Sequence, residues 1–358
     1  MRCKVFLSDE GYGHIVRQRA VIEELHRIQP ELKVLVQTKN HLDAAKRFIA
    51  NASFEEEFNN IVWYKQANGS PDVSKIGIEY ADYEQRAAQY IQREIEKESP
   101  DFIISDFVYE AFEVGDRKNI PTFGVAHFTW DWFFSKLYPP PLGTSLIHNF
   151  VRQAGLAKKL YFPPFTPEEI VTHFKNSVMR VPLILRSEIN HKVSDHQGKF
   201  KVLIMDSGAG VIAESIKKAL ESVKDMDDMV FFISDKFKCD NTNVSYIPAD
   251  DLMVDYVADM NLVIGRAGFN TISECIGLRT PMLLLGEAMN PEINENILML
   301  KKDHLGSFIS LHTFENELGK FLPDFLKHEY KFIERMMKEH SIETNGAEVV
   351  ARDILNHL

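Results

Sequence analysis

The chain has 358 residues, 45% hydrophobic and 26% charged, with a formal net charge of −11. This excludes a disordered or fibrous chain, argues against a nucleic-acid-binding surface, and fits two globular domains, each with its own core. The three cysteines, Cys3, Cys239 and Cys275, are scattered without a C-x-x-C pair, so neither a disulfide framework nor a zinc site is expected. No apolar run approaches the roughly 18 residues of a membrane span, and Arg2, Lys4 and Asp9 interrupt the start where a secretory signal would lie, so a reducing, cytoplasmic setting is expected.

In chain order, the first strand is predicted at Lys4–Leu7, followed by the turn Ser8-Asp9-Glu10-Gly11-Tyr12-Gly13-His14. A helix then follows, with Ile15, Ala20, Val21, Leu25 and Ile28 as its apolar stripe. Further strands are predicted at Lys33–Gln37, Ile61–Tyr64, Phe102–Ser105 and Thr122–Val125, with a polar, exposed helix over Tyr83–Lys97. The rhythm breaks between Tyr138 and Phe165, where two proline-rich stretches bracket an amphipathic segment. Its apolar face is Leu146, Ile147, Phe150, Val151 and Ala154, with Arg152, Lys158 and Lys159 opposite. It reads as a cleft-covering helix, with contact to a membrane surface or a lipid-linked acceptor as the alternative.

A polar stretch, Ile189–Lys199, reads as a connector. Alternation then restarts, with strands predicted at Val202–Met205, Val230–Ser234, Val244–Ile247, Leu262–Ile264 and Met282–Leu285, and a last helix over about Ala347–His357. The organisation expected is an α/β chain of two Rossmann-like domains, residues 1–182 and 201–358, joined by residues 183–200. The last helix has the option of packing back on the first domain. Parallel sheets bind ligands at their carboxyl edges, so two facing sheets would enclose a cleft.

The segment from Ala258 to Gly306 carries the most chemistry. A strand opens into Gly265-Arg266-Ala267-Gly268-Phe269-Asn270, and a helix follows with Asn270 or Thr271 as its expected N-cap. Gly268 would let a ligand approach the backbone, and the helix start offers N–H groups to a phosphate. Arg266 adds positive charge, and Glu274, one turn in, could accept hydrogen bonds from two ribose hydroxyls. The other reading is an ordinary strand–loop–helix corner with a dipole-stabilising glutamate.

This segment resembles the nucleotide-sugar-binding half of the GT-B glycosyltransferases. The likeness is greatest to the inverting group that holds the UDP-glucuronosyltransferases and the peptidoglycan GlcNAc transferase. Asp259, Ile264, Arg266, Ala267, Gly268, Thr271, Ile272, Glu274, Gly277, Pro281, Glu292, Asn296 and Gly306 carry the resemblance, in the family's order. It implies the GT-B fold and a nucleoside-diphosphate sugar, UDP-sugar first, as co-substrate, with no metal or other cofactor. It further implies that Gly268, Asn270 and Thr271 face the donor diphosphate, Glu274 the ribose and Ile247 the base, with Glu292 and Asn296 near the donor sugar. Ile293 stands where the family has a glutamine, a departure that bears on the sugar. Retaining members carry two acids eight positions apart, and counting back eight from Glu274 gives Arg266, so inversion is expected.

Inversion needs a base for the acceptor hydroxyl. In the resembling enzymes a histidine after the first strand serves, which here is His14, and an aspartate after a later strand orients it, which here is Asp106. Without the resemblance, His14 reads equally as a helix cap and Asp106 as a turn residue. Glu10, Gly11 and Gly13 lie in the same turn, and Trp130 and Asp131 follow the strand Thr122–Val125, all on the acceptor side. The Trp130 ring either stacks on a sugar or belongs to the core.

The glycosyltransferase-like domain of plant arabinokinases is similar too, over Val125–Pro141 and Met179–Glu188 and in the "GYGH" turn. "DSGAG" (Asp206–Gly210) is not a Walker loop, but in the resembling fold this loop approaches the phosphates, which makes Ser207 and Gly208 weaker candidates. Asp225–Asp227 reads as a solvated turn, and His191 and His196 lack metal-ligand spacing. The function expected is inverting, metal-independent sugar transfer to a hydroxyl acceptor. A nucleotide-sugar hydrolase or epimerase, or a non-catalytic nucleotide-sugar binder, is the alternative.

Overall fold

The computed structural model describes residues 1–8, 13–57, 64, 72, 74–75, 78, 80, 82–137, 144–186, 193, 198–205, 212–249, 251–286 and 289–358. The chain divides into two compact units, Met1–Ser187 with Glu343–Leu358, and Glu188–Ile342. The closing segment therefore belongs with the amino-terminal part of the chain rather than with residues 201–342.

The first unit is built on β1 (Arg2–Phe6), β2 (Lys33–Gln37), β3 (Ala52–Glu55), β4 (Phe102–Ser105), β5 (Thr122–Val125), β6 (Lys159–Phe162) and β7 (Val178–Arg180). All seven pair in parallel, in the order β3-β2-β1-β4-β5-β6-β7. Central strands such as Phe-Ile-Ile-Ser of β4 are buried on both faces, which is why they read as continuous apolar runs. The β3 and β7 strands lie at the two edges of this sheet and escape that pattern, because an edge needs no continuous apolar run. The predicted strand Ile61–Tyr64 lies outside the described residues apart from Tyr64.

The helices of this unit include α1 (Gly13–Ile28), α2 (Leu42–Phe48), α3 (Tyr83–Glu96), α4 (Tyr109–Lys118), α5 (Trp130–Leu137), α6 (Thr144–Ala154) and α7 (Glu168–His173). The apolar face of α6 is taken by the core: Phe150 and Ala154 are fully buried in an aromatic cluster, with Leu146, Ile147 and Val151 packed against it. That face is an interior one, which corrects the reading of the segment as a cleft-covering or membrane-facing helix. The expected continuation to Lys159 is also corrected, since Lys159 opens β6.

The second unit holds β8 (Phe200–Ile204), β9 (Met229–Ser234), β10 (Val244–Ile247), β11 (Leu262–Arg266), β12 (Met282–Leu285) and β13 (Ser307–Ile309), parallel in the order β10-β9-β8-β11-β12-β13. Its helices include α8 (Ala213–Ser222), α9 (Phe269–Gly277), α10 (Pro291–Asp303), α11 (Leu311–His328) and α12 (Tyr330–Glu339). In both sheets the first strand lies between the second and the fourth of its unit, so the winding reverses between β1 and β4 and again between β8 and β11. The carboxyl ends of such reversal pairs are where doubly wound sheets bind ligands.

The last helix, α13 (Gly346–Asn356), places Ala347, Val350, Ala351 and Ile354 in the first unit's core with β1, β2 and α1. The Asp353 carboxylate accepts from Lys159 Nζ at 2.8 Å and Tyr161 Oη at 2.7 Å. The backbone carbonyls of Pro182 and Leu183 crowd Gly346 too closely for a side chain there. No helix among the described residues is long and apolar enough to cross a membrane.

Contact between α8 and α11 is equally close. A Cβ on Gly319 would lie 1.9 Å from the Ser222 carbonyl oxygen, a backbone atom. Gly319→Ala is expected to force the two helices apart and cost about 2 kcal/mol. A denaturant midpoint equal to the parent's would contradict this packing.

Candidate active site

The carboxyl ends of β1 and β4 bring together the first cluster. The Asp106 amide donates to the Phe6 carbonyl at 2.9 Å, which ties the end of β4 to the end of β1. The next residue, Phe107, has φ of 48°, a left-handed conformation uncommon for a bulky side chain. Phe107 is held there by packing, its ring 5.7 Å from Phe162 and 5.7 Å from Phe112. Ser105 Oγ clamps the turn, accepting from the Val108 amide at 2.9 Å and donating to the Val108 carbonyl at 2.8 Å. Bare backbone at Gly124 leaves room for Leu160, Phe112 and Phe107, whose atoms lie 2.6, 3.2 and 3.3 Å from where a Cβ would be. Strain of this kind persists only where surrounding contacts over-determine it, and here it turns the chain directly after Asp106.

His14 is the second residue of α1, and Arg17 and Gln18 follow one turn later on the same face. His14 Nδ1 lies 3.0 Å from Asp106 Oδ1. Arg17 Nη2 donates to the same oxygen at 2.6 Å, and Gln18 Nε2 donates to Oδ2 at 3.1 Å and to the Val125 carbonyl at 3.1 Å. Burial alone would raise the Asp106 carboxyl, but the charge of Arg17 and the bond to His14 overcome it and hold the group at about 2. Asp106 is therefore an anion at neutral pH, placed to accept the His14 Nδ1 proton and leave the Nε2 lone pair to act.

Three further residues, Arg17, Gln18 and His127, complete this cluster. Arg17 and Gln18 sit at i+3 and i+4 from His14, a helical spacing that would have found them. His127, two residues after β5, comes within 2.9 Å of Arg17 Nη1 through its Nδ1.

The acceptor-side candidates divide differently. Gly13 opens α1, whereas Glu10 and Gly11 lie outside the described residues. Trp130 is 2% exposed, with its ring centroid 5.7 Å from Phe134 in a stacked contact, so this side chain belongs to the core and not to a sugar platform. Asp131 accepts from Tyr109 Oη at 2.6 Å, and Tyr109 stacks on Phe150 at 4.1 Å. Burial pushes the Asp131 carboxyl up, only partly offset by the Tyr109 hydrogen bond. Asp131 is thus engaged inside the aromatic core.

In the second unit β11 runs through Gly265 and Arg266, and Gly268 is the N-cap of α9 with φ −74° and ψ 145°. The expected cap at Asn270 or Thr271 is corrected: both residues lie inside the first turn. The N-cap residue itself supplies no side-chain hydrogen bond, and a Cβ on Gly268 would meet nothing within 4 Å. The Phe269 amide donates to Glu292 Oε1 at 3.5 Å, which places a carboxylate at the helix start. Glu274 is buried one turn further on. Asn296 Nδ2 donates to the Ala267 carbonyl at 2.9 Å, which secures the loop. Ile293 is 1% exposed, with its amide donating to the N-cap side chain Asn290 at 3.2 Å, which explains why an apolar residue serves there. Ile247 ends β10 and is buried. Ser207 and Gly208 lie outside the described residues.

A carboxylate trio, Glu55, Glu57 and Glu94, has metal-like spacing. The ammonium groups of Lys4 and Lys97 bond these carboxylates, so the trio is a salt-bridge network.

The family model of glycosyl transferase family 1 matches residues 4–326. A curated relative from Oceanobacillus iheyensis, UDP-N-acetylglucosamine–N-acetylmuramyl-(pentapeptide) pyrophosphoryl-undecaprenol N-acetylglucosamine transferase, is 31% identical over 163 residues. That match covers 39% of this chain and 45% of the relative's length. Among solved structures, the calicheamicin glycosyltransferase CalG4 is similar with a TM-score of 0.67 at 11% identity, over 100% of this chain and 98% of that one. MurG of Acinetobacter baumannii is similar with a TM-score of 0.59 at 14% identity, over 100% and 99%. With a family match over most of its length and two parallel doubly wound sheets, the chain belongs to glycosyl transferase family 1: it is a glycosyltransferase by family and GT-B by fold.

Proposed function

We propose that this protein transfers a sugar from a nucleoside-diphosphate sugar, a UDP-sugar, to a hydroxyl acceptor, with inversion and without a metal ion. The observation that carries the reading is the buried His14–Asp106 pair at the reversal point of the first sheet. His14 Nε2 takes the proton of the acceptor hydroxyl as its oxygen attacks the anomeric carbon. The bond from that carbon to the diphosphate oxygen breaks on the opposite face, so configuration inverts and the nucleoside diphosphate leaves with the electron pair. Asp106 accepts a hydrogen bond from Nδ1–H throughout, stays ionised, and stabilises the imidazolium.

The start of α9 supports the donor half. The N-terminus of α9 stabilises the charge that develops on the leaving diphosphate, and Arg266 adds positive charge beside it, so the chain's own groups do the work a metal would do. Glu274 accepts from the ribose hydroxyls. The UDP-N-acetylglucosamine in the curated relative's name favours uridine.

Thermal shift with UDP, GDP, CDP, dTDP and ADP tests the donor site, and no stabilisation by any of them would sink it. Glu274→Ala, which removes two charge-assisted hydrogen bonds, is expected to weaken binding of the preferred diphosphate about tenfold to a hundredfold by calorimetry. An unchanged Kd would remove Glu274 from the site. NMR of the preferred sugar nucleotide with enzyme alone separates transfer from the alternatives, since hydrolysis or epimerisation needs no acceptor.

A further inference from the structure

Two buried histidines share one buried guanidinium. Arg17 is 2% exposed, with Nη1 2.9 Å from His127 Nδ1 and Nη2 both 2.6 Å from Asp106 Oδ1 and 3.1 Å from His14 Nδ1. A guanidinium only donates and stays protonated in proteins, so His127 Nδ1 must present a lone pair and its proton resides on Nε2. At His14 two partners compete for the same nitrogen. Were Nδ1 to accept from Arg17, its lone pair would also face a buried anionic oxygen 3.0 Å away. With the proton on Nδ1, Asp106 Oδ1 accepts from both neighbours and each of its contacts joins a donor to an acceptor.

We propose that Asp106 and Arg17 together set the two histidines in opposite tautomers, and so select His14 rather than His127 as the base. Asp106 does so by accepting from His14 Nδ1–H, and Arg17, a positioning residue, by donating to His127 Nδ1. His14 carries its proton on Nδ1 and offers a lone pair at Nε2. His127 carries its proton on Nε2, where it can donate but cannot take a proton. The groups that fix this come from three elements: Arg17 and Gln18 from α1, Asp106 from the end of β4, and His127 from the segment after β5. The inference rests on the reading of His14 as the base.

Long-range proton–nitrogen NMR of the full chain labelled with 15N-histidine reads each tautomer directly, with assignments from His14→Gln and His127→Gln. The expected spectrum shows Nδ1–H at His14 and Nε2–H at His127. In Arg17→Lys, which keeps the charge but cannot bridge three partners, His127 is expected to become a tautomer mixture. In the same variant kcat is expected to fall at least about tenfold with the donor KM little changed. Arg17→Met, provided it folds, should repeat the His127 result.

Nε2–H at both histidines of the parent, or an unchanged His127 tautomer in Arg17→Lys, overturns the proposal. So does a loss of transfer in His127→Gln as complete as in His14→Gln. If the spectra are as expected but no sugar is transferred with any donor, the tautomer assignment stands and the reading of function falls.

Discussion

Replacing His14 by alanine is expected to lower kcat about a thousandfold while leaving the Kd for the nucleoside diphosphate unchanged. A positioned general base contributes on the order of 10² to 10⁴ in rate, and here the imidazole is pre-set by a carboxylate that is ionised throughout the working range. On the proposed reading the donor is held by the start of α9 and His14 acts on the acceptor hydroxyl alone, so binding and turnover should separate. Steady-state transfer rates and diphosphate titrations on the same preparation provide the test. A variant that retains more than about a tenth of the parent's kcat would remove His14 from the base role. His14 is itself buried, so His14→Gln, which preserves more of its volume, should lose kcat to a similar degree without the packing loss.

The second large effect concerns Asp106→Asn. The substitution leaves Arg17 as a buried cation without its carboxylate and places an amide against donors on Arg17 and Gln18. Breaking a buried ion pair from one side costs about 3 kcal/mol or more, so a marked fall in the unfolding midpoint is expected at pH 7. The parent's pH dependence supplies an independent check. The folded-state value of Asp106, about 2, lies below its ordinary 3.8, so its contribution to stability is fully present above about pH 4. It is lost as pH falls through the window from 3.8 toward 2, and amounts to about 2 kcal/mol. The variant's cost is larger because it also leaves a donor unsatisfied. Denaturant midpoints at neutral and acid pH should show the parent's acid loss reduced by that amount in Asp106→Asn. Parallel curves would mean that Asp106 is not the ionised centre of this cluster. Transfer activity should fall together with stability, because an amide no longer enforces the tautomer of His14.

Much of the fold was legible in the residues themselves. The apolar runs of β4, β5 and β12 were readable to the residue, because strands buried on both faces leave little choice of side chain. His14 and Asp106 were legible because they follow the first and fourth strands, and parallel winding sends both strand ends to one edge. The family was legible in the segment from Asp259 to Gly306, where backbone geometry around a glycine and a helix start constrains many positions at once.

Other features depended on three-dimensional neighbours. Trp130 and the Leu146–Ala154 stripe are apolar whatever they face, and amphipathicity cannot say whether a face meets core, ligand or lipid; the aromatic cluster claimed both. Asn296 is a polar residue near a donor loop in either case, and only its bond to the Ala267 carbonyl shows that it holds the loop. The cap of α9 fell at Gly268 because an N-cap is defined by backbone conformation, which glycine adopts without a capping side chain.

By itself, then, the sequence determined the two-sheet α/β organisation through local periodicity, and through its resemblance to the GT-B glycosyltransferases it pointed to the family and to His14 and Gly268–Glu274 as candidate site residues. The tertiary structure decided the partners: that residues 343–358 complete the first unit, that Arg17 and His127 join the His14–Asp106 pair, and that Asp131 is engaged within the core. Those contacts join residues distant along the chain, and their energies depend on burial and on a few tenths of an ångström between donor and acceptor, quantities that exist only once the strands have found their order.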